Sequence, residues 1–425
     1  MPYGADAQPE PVLLPRNEGA GQRPCRAAGG KKTIAALLLQ MISLCRSVVY
    51  ARACVSAKCG LRVESHGWNW KCFGIIMNSQ ERKLGDMVRV LVTGAGGFIG
   101  HHLVSFLRAQ GYWVRGVDLK RPEFCASDAN EFELLDLRKW QDCLRATAGI
   151  DEVYALAADM GGMGFISCNH AQILHNNSLI NLHCIEAARQ NHVNRYLYTS
   201  SACVYPEYRQ TETNCAPLKE EDAYPAAPQD AYGWEKLVSE RLCIHYRQDY
   251  GLETRIVRFH NIFGPLGTWQ GGREKAPAAL CRKIAAARLE GLKQIEIWGD
   301  GEQTRSFCYI DDCVVGLHKL MRSDYCEPLN LGQDRMVSIN QLADMIANIA
   351  GVQVNRTHVP GPQGVRGRNS DNTRLKAVLR WEPQISLEEG LRRTYLWVAK
   401  QLMELASEYS FGVATFPLRT GNKEP

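Results

Sequence analysis

The middle of this chain carries several residue types that can move protons. Tyr232 and Lys236 stand in the order Tyr-x-x-x-Lys, one helical turn apart and so on one face of any helix that carries them. A lysine ammonium beside a phenol lowers its pKa from the usual value of about 10, so the pair suits removal of a hydroxyl proton while hydride leaves the same carbon. Upstream, Ser200-Ser201-Ala202-Cys203 presents a thiol. With a free pKa of about 8.5, a thiol exchanges protons near neutral pH where a hydroxyl does not. The competing reading of Cys203 is a small buried core residue, the commonest fate of cysteine. Lys275, taken alone, reads as a surface lysine. The histidines, His260 among them, lack metal-ligand spacing, so no metal is expected.

A nucleotide cradle precedes these groups. The short apolar run 88–92 reads as a buried strand and opens on Gly94-Ala95-Gly96-Gly97-Phe98-Ile99-Gly100, followed by an amphipathic helix through Gln110. At a strand-to-helix junction Gly94 permits the tight turn, Gly97 lets a pyrophosphate approach the backbone, and Gly100 lets the helix pack close to the sheet. The helix N-terminus, which includes Phe98 and Ile99, adds the positive end of its dipole. Asp118, at the end of the second strand, is placed to accept from a ribose 2'-hydroxyl, which favours NAD over NADP. Lys120 and Arg121 lie close enough to soften that preference. Asp136 reads equally as an adenine neighbour or as a loop-capping aspartate.

The elements that must position these residues alternate. Runs 113–117, 152–157, 196–200 and 254–258 read as further strands, with helical stretches such as 173–191 and 232–250 between them. Such alternation predicts an α/β fold, a Rossmann-type doubly wound parallel sheet covered by helices on both faces. After Asn261 the pattern loosens into Gly- and Pro-rich loops around 264–272 and 360–372, which predicts a smaller C-terminal α/β substrate-binding lobe. The expected division is an N-terminal extension over 1–86, a nucleotide-binding domain over 87–258 to which 304–320 returns, a substrate lobe over 259–303 and 321–400, and a tail over 401–425.

With 425 residues, 45% of them hydrophobic, the chain can bury one large core or two moderate ones. The formal charge of +5 comes from residues 1–86, which hold 12 Lys/Arg against 6 Asp/Glu and leave 38 against 39 elsewhere. A near-neutral body lacks the clustered basic charge of a nucleic-acid binder. Its 16 cysteines show no C-x-x-C pairs or regular spacing, the usage of a reduced, cytoplasmic protein rather than a secreted one stapled by disulfides. Within 1–86, Lys31 and Lys32 precede an apolar stretch over 33–44 that is too short to span a bilayer as a helix. That segment is compatible with a secretory signal, an organelle transit peptide, a disordered extension, or upstream sequence before a start at Met77 or Met87. No stable membrane insertion is expected.

The glycine triplet and Tyr232-Gly-Trp-Glu-Lys236 resemble the extended short-chain dehydrogenase/reductase superfamily. Further segments narrow the likeness: Ala157-Ala-Asp-Met-Gly-Gly-Met-Gly-Phe165, Ser200-Ser-Ala-Cys-Val-Tyr-Pro206, Arg258-Phe-His-Asn-Ile-Phe-Gly-Pro265, Gly271-Gly-Arg-Glu-Lys-Ala-Pro-Ala278, Gln303-Thr-Arg-Ser306 and Gly364-Val-Arg-Gly-Arg-Asn-Ser-Asp-Asn372. Together they resemble the GDP-mannose 3,5-epimerase family over roughly residues 85–400. The extension has no counterpart there, and 288–294 is slightly longer than the family's loop.

The resemblance implies a redox-neutral isomerase with tightly held NAD, acting on GDP-mannose and related GDP-hexoses on the route to ascorbate. It would oxidise carbon 4, invert carbons 5 and 3 and re-reduce, with GDP-L-galactose as product and GDP-L-gulose as possible by-product. A ketone at carbon 4 acidifies the hydrogens at carbons 3 and 5 and already supplies the electron sink, so no metal is needed. The resemblance makes Cys203 the base and Lys275 the matching acid. It lines the sugar site with Gly161, Ser201, Ala202, Asn261, Glu274 and Ala276, and assigns Arg305 and Arg368 to the diphosphate with Lys283, Gln303 and Thr304 nearby. It also implies a homodimer packed through helices that include 232–250. An NADPH-dependent epimerase-reductase of the GDP-L-fucose synthase type is the alternative enzyme, disfavoured by Asp118 and Lys275. A non-catalytic NAD-binding sensor or scaffold is the alternative of another class.

Overall fold

The computed structural model describes residues 87–411; the readings made for 1–86 and for the chain after 411 lie outside them. Seven strands form the central sheet: β1 (Arg89–Thr93), β2 (Trp113–Asp118), β3 (Glu131–Leu134), β4 (Glu152–Ala155), β5 (Arg195–Ser201), β6 (Glu253–Phe259) and β7 (Pro328–Leu331). Their order is β7-β6-β5-β4-β1-β2-β3, and every pairing is parallel. The fold is thus α/β and Rossmann-like. Its strands are buried on both faces, so they read as continuous apolar runs rather than alternating ones. Reversal of strand order between β1 and β4 opens a crevice at the strands' carboxyl ends, where such folds hold ligands.

Helix α1 (Phe98–Ala109) follows β1, α2 (His170–Gln190) precedes β5, and α3 (Ala231–Tyr250) joins β5 to β6. Asp230 caps α3, its carboxylate accepting from Gly233 N at 2.8 Å, and Gly251 ends it with φ 71°, a left-handed position that glycine adopts without strain. A second lobe holds helices α4 (Ala276–Glu290), α5 (Ile339–Ala350) and α6 (Leu387–Phe411) beside small sheets. In one of these Gly367–Arg368 pairs in parallel with Thr304–Ser306, register Arg368 to Arg305. The chain returns to the main sheet through residue 331, further than 320, because β7 pairs with β6. Its Pro-Leu-Asn-Leu is too short to show a period of its own. Residues 401–411 continue α6. Among the described residues, no helix is long and apolar enough to cross a membrane.

A polar layer lies behind the end of β5. Arg258 and Glu240 are each about 1% exposed and pair bidentately, Nε to Oε1 at 2.9 Å and Nη2 to Oε2 at 2.7 Å. Ser200 Oγ donates to the same carboxylate, while Arg258 Nη1 also reaches the Glu220 carbonyl at 2.7 Å. Removing one member leaves the other buried and uncompensated, a cost of about 3–5 kcal/mol. Glu240→Ala is therefore expected to lower unfolding free energy by about that amount, read from urea denaturation, and to loosen the strand end on which Ser200 and Ser201 sit.

Candidate active site

A cavity of about 1000 Å³ opens at the carboxyl edge of the sheet and runs under the second lobe. Its walls include Gly94, Gly97, Phe98, Ile99, Gly100, Asp118 and Asp136 at one end, and Gly161, Ser201, Ala202, Cys203, Tyr232 and Lys236 in the middle. Asn261, Glu274, Lys275, Ala276, Lys283, Gln303, Arg305 and Arg368 complete them. Of the residues expected at the site only Thr304 lies outside this lining; its hydroxyl donates instead to the Thr213 carbonyl.

The cradle is set by backbone contact. Gly94 has φ 71°, and a Cβ on Gly100 would lie 2.1 Å from the Gly94 carbonyl oxygen. At Gly97 a Cβ would meet only that same oxygen, at 3.3 Å. Gly96, not singled out in the sequence, is equally constrained: its Cβ would lie 2.1 Å from the Lys120 carbonyl oxygen. Its N–H donates to Asp118 Oδ2 at 2.9 Å, and Lys120 N donates to Oδ1 at 3.2 Å. Burial raises the Asp118 carboxyl, opposed by those N–H groups, and each oxygen keeps a lone pair for a ribose hydroxyl. Lys120 pairs with Glu123 at 3.6 Å, and the Arg121 guanidinium lies 5.4 Å from the Phe132 ring centre. Asp136 accepts from its near neighbour Arg138, through Nε at 2.8 Å and the backbone N at 3.1 Å. It is a loop cap that also faces the cavity.

Tyr232 and Lys236 are both buried. Lys236 Nζ donates to the Thr199 carbonyl at 3.1 Å and lies 3.7 Å from Glu235 Oε1, a carboxylate further held by Asn177 and Asn181. The expected lowering of the phenol is not seen. Burial first, then the Cys203 and Glu235 charges, push Tyr232 well above 10, against a hydrogen bond with Ser201. Enclosure of the hydroxyl in protein, which disfavours the phenolate, is the main reason. Gly233, inside the same motif, lets α3 lie against the Cys203 turn, since a Cβ there would stand 2.2 Å from the Cys203 carbonyl oxygen.

Cys203 lies on a single 3-10 turn, Ala202–Val204, whose cap Ser201 accepts from Cys203 N at 3.2 Å. Arg368 Nη1 donates to its Sγ at 3.2 Å, which brings that guanidinium to the thiol in the ligand-free protein. Lys275 caps α4. Its side chain is exposed to the cavity, and desolvation by the surrounding protein lowers its pKa, against the Cys203 and Cys313 charges. The positive end of the α4 dipole acts in the same direction. Burial and then Arg368 push Arg305 down to about 9, which leaves it charged at neutral pH.

The outer residues are held by partners. Glu274 accepts from Gly272 N at 2.7 Å and Arg282 Nη2 at 3.1 Å, Lys283 donates to the Glu296 carbonyl at 2.7 Å, and Gln303 Nε2 donates to the Trp298 carbonyl at 3.1 Å. Asn261 has φ 44°, a left-handed backbone that Asn tolerates better than most residues, and donates to the Ser306 carbonyl at 2.8 Å. Arg366 pairs with Asp300 at 2.7 and 2.8 Å. Among the described residues no group of three or more His, Cys, Asp or Glu is placed to hold a metal ion.

The crevice has a glycine turn at one end and a phenol, a thiol and two lysines further in, a nucleotide cradle beside proton-handling groups. Residues 90–332 match the NAD dependent epimerase/dehydratase family, and the chain belongs to it. The chain is 52% identical over 319 residues to GDP-mannose 3,5-epimerase 1 of Oryza sativa subsp. japonica, spanning 75% of this chain and 83% of that one. The GDP-mannose 3,5-epimerase of Arabidopsis thaliana gives the same identity over 84% of its length. Among solved structures, the UDP-glucuronic acid 4-epimerase of Bacillus cereus in complex with UDP-glucuronic acid and NAD superposes with a TM-score of 0.62 at 27% identity, covering 74% of this chain and all of that one. The UDP-glucose 4-epimerase of Thermotoga maritima superposes with a TM-score of 0.67 at 27% identity, again covering 74% of this chain and all of that one. The chain is an NAD-dependent epimerase, and the room above Gly97 beside Asp118 fits that cofactor.

Because burial depresses Lys275, the unfolded chain binds its proton more tightly than the folded one, and stability rises with pH between the lowered value and 10.5. In the ligand-free protein Lys275→Met is therefore expected to melt at or above the wild-type temperature at neutral pH. That advantage should shrink as pH rises through 10.5, above which the amine is neutral in both states. Paired thermal melts across pH check this.

Proposed function

We propose that the chain converts GDP-D-mannose to GDP-L-galactose by transient oxidation at carbon 4, inversion at carbons 5 and 3, and re-reduction. Release after inversion at carbon 5 alone would give GDP-L-gulose. The observation that carries this reading is the convergence of two proton-handling sets in one cavity, Tyr232 with Lys236 and Cys203 with Lys275. An enzyme that only shuttled hydride at one carbon needs the first set; the second has a use when a neighbouring C–H must be broken and remade. The relatives named as GDP-mannose 3,5-epimerases support the same substrate.

When bound, the nicotinamide supplies a reversible hydride acceptor for carbon 4. Tyr232 as phenolate takes the carbon 4 hydroxyl proton while hydride leaves, and as phenol returns it in re-reduction; the positive charge of a bound oxidised nicotinamide would favour the phenolate, opposing the burial that raises this group in the ligand-free protein. Lys236, anchored on Thr199, orients the nicotinamide side of this pair. With carbon 4 a ketone, the carbon 5 and carbon 3 hydrogens become acidic. Cys203 as thiolate removes such a proton from one face and Lys275 as ammonium delivers one to the other, and a lysine lowered by burial gives its proton up more readily than a solvated one. Arg305 and Arg368 supply positive charge for the enolate or for the diphosphate. Gly94, Gly97, Phe98, Ile99, Gly100, Asp118 and Asp136 hold the cofactor. Gly161, Ser201, Ala202, Asn261, Glu274, Ala276, Lys283 and Gln303 surround the sugar nucleotide.

A homodimer through α2 and α3 belongs to the same reading, because Leu174, Leu182, Trp234 and Val238 stay exposed on these helices. A cytoplasmic location does too, supported by the free thiols of the described residues. The domain division follows the sheet and the second lobe.

Incubation with GDP-mannose in deuterated water, followed by NMR of the recovered sugar nucleotides, is expected to place deuterium at carbons 3 and 5, none at carbon 4, and to yield GDP-L-galactose. Recovery of unlabelled GDP-mannose would sink the proposal. In light scattering, Val238→Arg with Trp234→Ser is expected to convert a dimer to a monomer; an unchanged mass would reject that interface.

A further inference from the structure

Gln210 lies beyond the cavity wall and takes no part in the chemistry above, yet it ties together the two segments on which the thiol depends. It is 1% exposed. Its Nε2 donates to the Tyr205 and Pro206 carbonyls, both at 3.1 Å, immediately after the turn that carries Cys203. Its Oε1 accepts from Arg368 Nε at 2.6 Å. Its own carbonyl accepts from Arg366 N at 2.9 Å and Gly367 N at 3.2 Å. One residue thus fastens the Arg368 strand to the Cys203 turn through main chain and side chain alike.

A fastening of this kind is needed. Arg368 is the cross-strand partner of Arg305, and the two like charges repel one another. Left alone, the long Arg368 side chain would swing towards water. The guanidinium is planar, so a hydrogen bond that fixes Nε fixes the direction of both terminal nitrogens. With Nε on Gln210, Nη1 is aimed at Cys203 Sγ, 3.2 Å away. The other charged or titratable groups in electrostatic reach of Cys203 are Tyr232, Lys275 and Arg305.

We infer that Gln210 is a positioning residue for the proton-transfer half of the reaction: it holds the Arg368 guanidinium on the Cys203 thiolate while leaving the oxidation at carbon 4 untouched. The inference rests on the proposed epimerase cycle, in which the C–H proton passes to the thiolate sulfur and the electron pair stays on carbon as the enolate.

Gln210→Met keeps the side-chain length and removes every polar atom from it. In the NAD-loaded enzyme mixed with saturating GDP-mannose, two signals separate the halves of the cycle: nicotinamide absorbance reports oxidation, and solvent deuterium entering carbons 3 and 5 reports proton exchange. The expected result is oxidation within about twofold of wild type and deuterium entry slowed by roughly tenfold or more, the scale of losing a hydrogen bond to a charged group. The variant would then resemble Cys203→Ser, which the same cycle expects to oxidise without exchanging. Unchanged deuterium entry would overturn the inference. So would an increase in KM with normal exchange at saturation, which would make Arg368 a substrate anchor only, or equal loss of both signals together with a lowered melting temperature, which would make Gln210 merely structural. Absence of both signals in the wild type would instead reject the epimerase cycle itself.

Discussion

The close approach of helix α3 to the turn carrying Cys203 is the constraint on which the rest of the site depends. With no side chain at Gly233, the helix lies where even one carbon would stand 2.2 Å from the Cys203 carbonyl oxygen. That contact sets the distance between the phenol that handles a hydroxyl proton and the thiol that handles a carbon-bound one. The buried Arg258 and Glu240 pair stiffens the strand end beneath it, and the Asp230 cap fixes where the helix begins. A thiol on a free loop would face many directions; here its backbone is fixed from below, from the side and, through Gln210, from above.

Electrostatics give the cavity its second character. Lys236, Lys275, Arg305 and Arg368 all line it, and two of them have lowered pKa values with burial as the first cause. Such crowding is costly in an empty fold and favourable once an anionic diphosphate or an enolate enters. The cost is limited by partners: Glu235 beside Lys236, carbonyl oxygens around Arg305, the Gln210 amide on Arg368. Lys275 has two thiols, Cys203 and Cys313, in electrostatic reach, and desolvation keeps its proton loosely held.

Much of this was legible in the chain, for specific physical reasons. Strands buried on both faces leave unbroken apolar runs, so β1, β2, β4, β5 and β6 stand out within a residue or two. The turn between β1 and α1 announces itself because glycine alone fits its close contacts. Gly233 and Gly96 carried the same kind of signal, a glycine inside or beside a motif, and only the coordinates show what each approaches. Strand β7 was too brief to have a period. Lys275 and Gln210 were not readable from local pattern at all: the first looks like any surface lysine, and the second meets Arg368 across 158 positions of sequence. The lowered phenol expected from the Tyr-x-x-x-Lys spacing is not seen in the ligand-free fold, because the pattern does not say how deeply the phenol is buried.

The two proton-handling sets come from different parts of the chain. Tyr232 and Lys236 belong to a helix of the main sheet, whereas Lys275, Arg305 and Arg368 arrive on segments after β6, and Cys203 occupies the short turn where the two meet. Inheritance can therefore act on them separately. On the proposed cycle, the sheet carries the oxidation of the sugar, and one turn with three outlying side chains decides which bond that oxidation is used to break. Diversity of reaction on this scaffold is then a matter of editing its periphery, with the costly interior conserved as common property.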